Sequence, residues 1–425
     1  MMSAPDVLTP EVLERLAEIG HADIVVGIPS YQNASTIGHV VQAAQAGLAK
    51  YFPGAHSVIL NSDGGSTDGT PAVVAATSGQ DAAIVLVSHP VRPIHRFTVP
   101  YHGLPGKGSA FRTIFRAADI LGAPACAVVD ADLRSITPEW IHLLVAPVIS
   151  QGFDYVAPYY LRHKFDGTIT NNVVYPITRA LYGKQIRQPI GGDFGLSLPL
   201  IRHYLSLPVW ETDVARYGID IWMTTTAICG SFAICQAFLG AKLHDPKDPA
   251  ADLSAMLVQV LGTVFRLMET HEGRWQSVQG SQPVPIVGFR YGVGIDPLRV
   301  DPARMIDHYR RGVRDLDGIW QTMFDRDILT RLRDAASRDG LEFVIGDELW
   351  VRVVYDLAAA HHHRVRDRDA LVRASLPLYM GRVASFVMEV AEADAVEVEA
   401  RLERLCAMFE QQKDYLRQRW TPGRR

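Results

Sequence analysis

Ile-Val-Val-Gly-Ile, at residues 24–28, is the first of four apolar runs that decide the fold. The run is continuous rather than alternating between apolar and polar residues, as expected for a strand buried on both faces. Three similar runs follow at residues 58–60, 83–87 and 125–129, and helical stretches separate them. This alternation predicts an α/β fold, with a mostly parallel sheet flanked by helices.

The chain beyond residue 251 is predicted to be mostly helical. Apolar residues there recur at the spacings of one helix face, in one stripe between residues 253 and 268 and another between residues 398 and 416. We interpret both stripes as packing surfaces, within the chain or against a second copy in a homodimer. The predicted division is an N-terminal helix at residues 1–22, a sheet domain at 23–250 and a helical region at 251–425.

Length, composition and charge exclude several classes of protein. The 425 residues are 48% hydrophobic and 21% charged, which excludes disordered, collagen-like and disulfide-scaffold proteins. The formal net charge of −4 gives no electrostatic reason to expect nucleic acid or an anionic membrane as a partner. Residues 1–10 lack signal-peptide features and the four cysteines are scattered, so we expect a reduced, cytoplasmic protein.

Two carboxylates, Asp130 and Asp132, follow the fourth apolar run directly. Ligands of open parallel sheets bind beyond the carboxyl ends of the strands, and two carboxylates at such a position can hold a hard divalent cation. We therefore predict a metal site here. One alternative is a phosphohydrolase in which the first aspartate of Asp-x-Asp is the nucleophile, although that motif normally follows the first strand of its domain.

Two further side chains, one lysine and one histidine, are candidates for binding a phosphate or a metal. Lys107 lies in Pro-Gly-Lys-Gly, at residues 105–108, before a predicted helix whose N-terminus would suit a phosphate. The segment is not a Walker A loop, because Tyr101 and Gly108 stand where that motif needs glycine and Ser or Thr. The alternative is a solvated lysine in a turn. His244 follows a predicted strand, where a neutral imidazole would complete a metal shell.

Three consecutive histidines, His361, His362 and His363, also suggest a metal site. Successive residues of a helix point in different directions, however, so the three rings do not converge on one ion. We predict that they are surface or interface residues.

The order of these motifs resembles the retaining GT-A glycosyltransferases that make glucosyl-3-phosphoglycerate, glucosylglycerate and mannosylglycerate. The specific part of the resemblance is Pro-Gly-Lys-Gly combined with Gln-Pro-Ile-Gly-Gly-Asp at residues 188–193. The likeness covers about residues 23–248. It implies a Rossmann-like GT-A sheet domain with a mainly helical C-terminal region, a nucleotide-sugar donor and a divalent cofactor, Mg²⁺ or Mn²⁺.

The resemblance also implies roles for residues that match the family's motifs. The implied donor-binding residues are Pro29, Ser30, Tyr31, Asp63, Gly64, Lys107, Asp130 and Ala131. Asp132 and His244, aided by Asp130, would hold the metal. The implied acceptor-binding residues are Arg162, Gly167, Thr168, Thr170, Gly191 and Gly192. Asp220 and Asp193 would orient sugar hydroxyls, while Lys107 would face the leaving diphosphate.

Two departures from the family's pattern bear on the substrates. Gln32 and Asn33 stand about where the family has an acidic residue, which leaves UDP and GDP donors both open. Thr168 replaces an arginine that would clamp a phosphate, so unphosphorylated D-glycerate is favoured over 3-phosphoglycerate as acceptor. Other cations could replace that arginine: Arg162, Lys164, Arg179 or Arg187.

The predicted function is transfer of glucose from UDP- or GDP-glucose to D-glycerate, giving glucosylglycerate. Synthesis of glucosyl-3-phosphoglycerate, or of mannosylglycerate from GDP-mannose, remains an alternative. A non-catalytic nucleotide-sugar-binding protein is the third hypothesis, and the combination of acids, lysine and histidine argues against it.

Overall fold

The computed structural model describes residues 7–77, 83–88, 106–243, 253–292, 298 and 300–421. The chain divides into two compact units. The sheet unit comprises residues 1–161, 190–245 and 284–293, and the helical unit comprises residues 162–189, 246–283 and 294–425. Residues 162–189 therefore group with the helical unit, whereas the predicted division placed them in the sheet domain.

The strands are β1 (Ile24–Ser30), β2 (Ser57–Asp63), β3 (Ala83–Ser88), β4 (Ala125–Val128), β5 (Tyr155–Leu161), β6 (Lys184–Gln185), β7 (Phe194–Ser197), β8 (Ile234–Ala241), β9 (Gln282–Pro283) and β10 (Ile286–Val287). The described strands of the sheet unit form one sheet in the order β10-β8-β5-β7-β4-β1-β2-β3. In the helical unit, β6 and β9 form a short parallel pair.

The prediction of a mostly parallel sheet is confirmed. β1 pairs in parallel with both β2 and β4, and β5 pairs in parallel with β8. The exception is β7, which runs antiparallel to β4 and β5. The four apolar runs of the sequence lie in β1 to β4, and their side chains at Val26, Ile59 and Ala127 are fully buried.

The helices are α1 (Pro10–Ile19), α2 (Ile37–Tyr51), α3 (Thr70–Ala76), α4 (Lys107–Ile120), α5 (Pro138–Gln151), α6 (Tyr175–Tyr182), α7 (Leu198–Ser206), α8 (Ile219–Cys229), α9 (Leu253–Thr270), α10 (Glu272–Ser277), α11 (Pro302–Asp315), α12 (Asp317–Trp320), α13 (Arg326–Ser337), α14 (Asp347–His362), α15 (Arg368–Ala374), α16 (Leu376–Glu389), α17 (Ala395–Gln411) and α18 (Lys413–Trp420). Shorter 3₁₀ turns lie at Asp213–Ala215 and Gly340–Glu342, and a π-helical turn lies at Thr170–Val174.

The core of the sheet unit is apolar. Side chains of β1 and β4 pack with those of α2 and α5, including Ile28, Val40, Ala127 and Ile141. Proline at the first position of α5, where no intrahelical N–H is needed, favours the start of that helix.

The two apolar stripes of the C-terminal sequence are buried in the folded chain. The first lies in α9, and its buried members include Leu257, Leu261 and Met268. The second spans two helices, α17 and α18, rather than the single helix expected, because the backbone leaves helical geometry at Gln412 (φ −89°, ψ 12°). Among the described residues, no helix has both the length and the apolarity that a membrane crossing requires.

The surface prediction for the histidine triplet is wrong for His361, whose side chain is 1% exposed. The ring lies near Glu269, with Nδ1 3.3 Å from Oε1. His362 is half-buried and stacks on Trp420, and His363 is exposed. One of three consecutive helical residues faces the core because each is rotated about 100° from the last.

The topology brings polar residues to one edge of the sheet. Apart from β7, the strands of the sheet point the same way, so β1, β2, β4 and β8 end at this edge, where β7 begins. The chain runs from β1 outward to β2 and β3, then returns to β4 on the other side of β1. Such a reversal of strand order is where open α/β sheets bind their ligands.

Candidate active site

Asp130, which follows β4, is held between two lysines. Lys107 Nζ lies 2.9 Å from Oδ1, and Lys242 Nζ lies 2.8 Å from Oδ2. Burial would raise the pKa of Asp130, but the two ammonium groups outweigh burial and hold that pKa well below its usual range. The side chain is therefore a carboxylate with a lysine on each oxygen.

Asp193 lies behind Asp130 and is completely buried. It directly precedes antiparallel β7, which places it at the same edge as the ends of the parallel strands. Its Oδ1 accepts a hydrogen bond of 2.7 Å from the Asp130 amide, and its Oδ2 accepts from Lys242 Nζ at 2.8 Å and from the Tyr160 hydroxyl. Burial raises the pKa of Asp193 against the opposing effect of Lys242. Asp193 thus fixes the positions of Asp130 and Lys242 through buried hydrogen bonds.

Lys107 also contacts Asp220. Lys107 is the first residue of α4 and Asp220 lies in the first turn of α8. Lys107 Nζ lies 3.4 Å from each carboxylate oxygen of Asp220, yet Oδ1 has no hydrogen-bond partner. Burial raises the pKa of Asp220 although Lys107 opposes it, and the carboxylates of Asp130 and Asp220 raise the pKa of Lys107 above its usual value despite its burial. A second carboxylate thus lies beside the same ammonium group.

The glycines on either side of Lys107 are required by close packing. A Cβ on Gly106 would lie 2.0 Å from the Ala215 carbonyl oxygen, and one on Gly108 would lie 1.8 Å from that of Val214. Both distances are far below contact distance, so the start of α4 approaches the 3₁₀ turn only through glycine. The Pro-Gly-Lys-Gly pattern therefore fixes the backbone that carries Lys107.

The two glycines at residues 191 and 192 form part of the same cluster. The Gly191 carbonyl accepts a hydrogen bond of 2.8 Å from Lys242 Nζ. Gly192 has φ of +93°, and a Cβ there would lie 2.1 Å from Asp130 Oδ2. Any side chain at position 192 would displace the Asp130 carboxylate from Lys242.

The segments after β1 and β2 are joined through Asp63. The Ser30 hydroxyl donates to Asp63 Oδ1 at 2.9 Å, while the amides of Gly65 and Ser66 donate to Oδ2 at 2.9 and 2.8 Å. The Gly64 amide donates to the Ser30 carbonyl at 2.8 Å. Asp63 is therefore a buried loop-shaping residue, and it fixes the strand ends on which the predicted donor residues lie.

The remaining predicted donor residues lie beside these segments. Pro29 pairs with Ser62 between β1 and β2, and the Tyr31 amide donates to Asn33 Oδ1 at 2.8 Å. The Ala131 carbonyl accepts a hydrogen bond of 2.8 Å from the Thr36 hydroxyl. The loop after β1 is thereby tied to the segment after β4.

The predicted acceptor segment at residues 167–170 belongs to the helical unit. Thr168 is 2% exposed, and its hydroxyl lies 2.6 Å from that of Tyr379. Gly167 precedes the first helical residue and has φ of +66°, and Thr170 begins the π-helical turn. The Thr168 hydroxyl is thus buried and hydrogen-bonded to the Tyr379 hydroxyl.

The four cations near this segment all have partners within the helical unit. Arg162 lies 3.4 Å from Asp166, and Lys164 donates to the Ala393 carbonyl at 3.0 Å. Arg187 pairs with Glu399 at 2.8 Å, and Arg179 pairs with Glu410 at 3.2 Å and also with Glu403. None of the four is the uncompensated cation that would replace the family's phosphate-binding arginine.

Two of the three predicted metal ligands are described. Asp132 is a half-buried carboxylate at the end of β4, and its hard oxygen donors suit Mg²⁺ or Mn²⁺. Asp130 has both oxygens on lysines, so it would reach a cation only after one lysine moved. His244 lies outside the described residues. Within those residues, no group of three or more His, Cys, Asp or Glu side chains is arranged to hold a metal.

Sequence reasoning missed Lys242 and Tyr160. Lys242 contacts three groups of the cluster, although in the sequence it is only a residue two positions before His244. Tyr160 lies in β5, a strand that the sequence analysis did not assign. The one signal for Lys242 is its position directly after a strand, where the argument applied to Asp130 also holds.

Comparisons with known proteins gave solved structures only. No family model and no curated protein matches the chain. A glucosyl-3-phosphoglycerate synthase from Mycobacterium tuberculosis, in complex with Mn²⁺, UDP and glucosyl-3-phosphoglycerate, is 25% identical over 59% of this chain and 83% of its own, with a TM-score of 0.46. The same enzyme with Mg²⁺ and UDP is 26% identical over the same shares, with a TM-score of 0.45.

A third structure of that synthase contains Mn²⁺, UDP-glucose and phosphoglyceric acid. It is 25% identical over 60% of this chain and 84% of its own, with a TM-score of 0.45. These three structures are of one enzyme, whose product, glucosyl-3-phosphoglycerate, is among those of the group that the chain's motifs resemble.

Proposed function

We propose that this chain is a retaining, divalent-metal-dependent glycosyltransferase that moves glucose from UDP- or GDP-glucose to D-glycerate. The observation that carries the proposal is the convergence of Lys107, Asp130, Asp193, Asp220 and Lys242 at the carboxyl edge of the sheet. These residues come from five separate segments and meet where the strand order reverses. A buried cluster of three acids and two lysines is costly for stability alone, which favours a functional role.

Lys107 is the candidate for stabilising the leaving nucleoside diphosphate. Its raised pKa keeps it an ammonium at neutral pH, and α4 holds it at an N-terminus, where a helix favours anions. A diphosphate arriving there would take the place of a carboxylate beside Lys107 Nζ. The charge that develops as the sugar leaves would then meet a cation already in position.

Asp220 is the candidate for orienting the transferred sugar. Its Oδ1 is buried and has no hydrogen-bond partner, although Lys107 lies nearby. An unpartnered buried carboxylate oxygen is costly, and a sugar hydroxyl would satisfy it. Asp193 is fully buried with both oxygens engaged, so we assign it a positioning role through Asp130 and Lys242 rather than contact with the sugar.

Asp132, with His244, would hold Mg²⁺ or Mn²⁺. Such an ion, when bound, would offset negative charge on the diphosphate as the bond to the sugar breaks. Asp130 would assist from the same turn if Lys107 moved to the incoming diphosphate.

The proposed reaction forms one bond and breaks one. The acceptor hydroxyl oxygen bonds to the anomeric carbon, the bond between that carbon and the diphosphate oxygen breaks, and the hydroxyl proton leaves with the diphosphate. Attack on the face that the diphosphate leaves would retain the anomeric configuration. No side chain is assigned as a nucleophile. Asp130 and Asp193 each have both oxygens engaged by donors, and the role proposed for Asp220 is to accept a hydrogen bond from a sugar hydroxyl.

The proposal favours D-glycerate over 3-phosphoglycerate. A phosphate needs a strong cationic partner, and Thr168 cannot provide one. Arg162, Arg179 and Arg187 are already ion-paired within the helical unit. A carboxylate carries less charge than a phosphate and needs less cationic compensation. The backbone amides of the first helical turn after Gly167 have no hydrogen-bond partner within the helix, so they can donate to a carboxylate.

A donor-by-acceptor matrix tests the proposal. The full chain would be incubated with Mg²⁺ or Mn²⁺, with UDP-glucose, GDP-glucose or GDP-mannose, and with D-glycerate or 3-phosphoglycerate. We expect a glucoside by mass spectrometry, formed with higher kcat/KM from glycerate. No glycoside from any combination, by protein shown to be folded by circular dichroism, would refute the proposal. Phosphate release from simple phosphomonoesters would favour the phosphohydrolase alternative.

A further inference from the structure

The predicted acceptor segment, residues 167–170, is held by hydrogen bonds from buried polar side chains of the helical unit. The Tyr379 hydroxyl lies 2.6 Å from the Thr168 hydroxyl, and both residues are buried. Tyr379 lies in α16, more than two hundred residues later in the chain. A pair this short between two buried hydroxyls fixes both side chains, because neither has water as an alternative partner.

A second contact from α16 reaches the same segment through Asn172. Arg382 Nε donates to Asn172 Oδ1 at 3.0 Å, and Asn172 Nδ2 donates to the Thr168 carbonyl at 3.1 Å. Arg382 and Tyr379 are three residues apart and therefore share one face of α16. The other donors of Arg382 go to the Ile345 carbonyl and to Asp347, both at 2.8 Å. Each of the three guanidinium nitrogens thus donates to a backbone or side-chain oxygen of the helical unit.

Asn172 is also the middle of the π-helical turn at Thr170–Val174. π-helical turns inside helices are uncommon and occur frequently at functional sites. The Asn172 carbonyl accepts a hydrogen bond of 2.8 Å from Trp350 Nε1, which comes from α14. Asn172 is 0% exposed, so Arg382 and Trp350, rather than solvent, satisfy this wide turn.

We propose that Tyr379 and Arg382 are positioning residues that set the shape of the acceptor segment. The inference rests on the proposed function, since it assumes that residues 167–170 receive the acceptor. The role it assigns to α16 is to hold the acceptor segment through Thr168 and Asn172. Tyr379 and Arg382 are each 1% exposed, so we assign them to holding the segment and not to contact with the acceptor.

Tyr379→Phe tests the proposal, because it removes the hydroxyl and keeps the ring. We expect the KM for D-glycerate to rise by about five- to tenfold, the effect of losing one buried hydrogen bond, while the KM for the nucleotide sugar stays the same. Tyr355→Phe is the matched control. Tyr355 is also buried in the helical unit, and its hydroxyl donates to the Phe409 carbonyl at 2.6 Å, away from this segment. It should lower the Tm to a similar extent and leave both KM values unchanged.

Thr168→Val, alone and with Tyr379→Phe, provides a second arm. If the two hydroxyls act as a pair, the double variant should have about the same acceptor KM as either single variant. Arg382→Lys, which keeps the charge but loses the planar fork, should also raise the acceptor KM selectively.

Two outcomes would overturn the inference separately from the proposed function. Equal changes of acceptor KM in Tyr379→Phe and Tyr355→Phe, or unchanged acceptor KM in both Tyr379→Phe and Thr168→Val, would show that α16 supplies only general stability. Absence of glycoside from the wild-type protein would instead refute the proposed function, and the inference with it.

Discussion

Lys242 and Asp193 form an ion pair at 2.8 Å in which the lysine side chain is 4% exposed and the aspartate side chain is 0% exposed. The pair joins the end of β8 to the start of β7, and Lys242 extends it to Asp130 at 2.8 Å. Removing two charges from water is costly, and only close pairing and added hydrogen bonds offset that cost. The Gly191 carbonyl and the Tyr160 hydroxyl provide those bonds here.

Lys242→Met should destabilise the protein strongly. It leaves the buried carboxylate of Asp193 without its ammonium partner, which costs about 3–5 kcal/mol of the free energy of unfolding. The double variant Lys242→Met/Asp193→Asn removes both charges and should recover most of that loss. Urea denaturation of the three proteins measures both effects. Equal stability of the single and double variants would show that the pair is not energetically coupled.

Gly192→Ala should abolish activity. The new Cβ would lie 2.1 Å from Asp130 Oδ2, and φ of +93° adds backbone strain. Gly152→Ala is the control, because Gly152 also has positive φ, at +72°, but a Cβ there meets nothing within 4 Å. Steady-state transfer assays and thermal melts of both variants separate the collision from the strain. Similar activity in the two variants would contradict the role assigned to Gly192.

Much of this site could be predicted from the sequence, since Lys107, Asp130 and Asp220 lie in recognisable local patterns. The apolar run before Asp130 predicted a strand that ends just before this residue. Because the carboxyl ends of parallel strands lie at one edge of the sheet, the sequence also predicted on which edge Asp130 lies. Lys242 could not be predicted in the same way, because its partners lie 49 and 112 residues away and only the folded chain brings them together. The short antiparallel strand β7 carries too few residues for a periodic signal. Asp193 was therefore identified only by the motif at residues 188–193, and its hydrogen bond to the Asp130 amide was not predicted.

The acceptor segment shows the same limit. The sequence identifies residues 167–170 by resemblance, but the π-helical turn that follows depends on Trp350 and Arg382. These side chains come from α14 and α16, in a region that the sequence predicts only to be mostly helical. The sequence motif therefore located the segment. Its conformation depends on tertiary hydrogen bonds, which the sequence did not predict.

Lys107→Met should lower kcat by about 100-fold or more, as expected when one preorganised charge is lost from a site where negative charge develops. The variant should be less stable than wild type, because the buried carboxylate of Asp220 loses its ammonium partner although Asp130 keeps Lys242, so its folding is checked by circular dichroism before the kinetics. Lys50→Met, at an exposed position in α2, is the control and should be near wild type. Steady-state kinetics with saturating donor measures the change. A kcat within a few-fold of wild type would remove Lys107 from the charge-stabilising role.

Asp356 should give the protein a pH-dependent stability. Burial raises its pKa to about 6 from the ordinary 3.8, although Arg419 opposes this from 2.7 Å. Because the folded-state pKa is the higher one, the contribution is fully present below about pH 4 and is lost as pH rises through about 6. The full change is about 3 kcal/mol.

Asp356→Asn should remove this component. The difference in unfolding free energy between wild type and variant should therefore change between about pH 4 and about pH 7. Over this range, the stability of wild type relative to the variant should fall as pH rises. Denaturant titrations of both proteins at several pH values measure it. A difference that is independent of pH across that window would contradict the raised pKa.

The most direct test of the account is proton NMR of the reaction of the full chain with UDP-glucose, a divalent metal and D-glycerate, with GDP-glucose as the second donor. We predict a glucoside with the same anomeric configuration as the donor, formed in equal amount to the nucleoside diphosphate released, and absent from the Lys107→Met protein at matched times. Nucleoside diphosphate without glycoside, a product of inverted configuration, or no turnover by folded protein with either donor would contradict it.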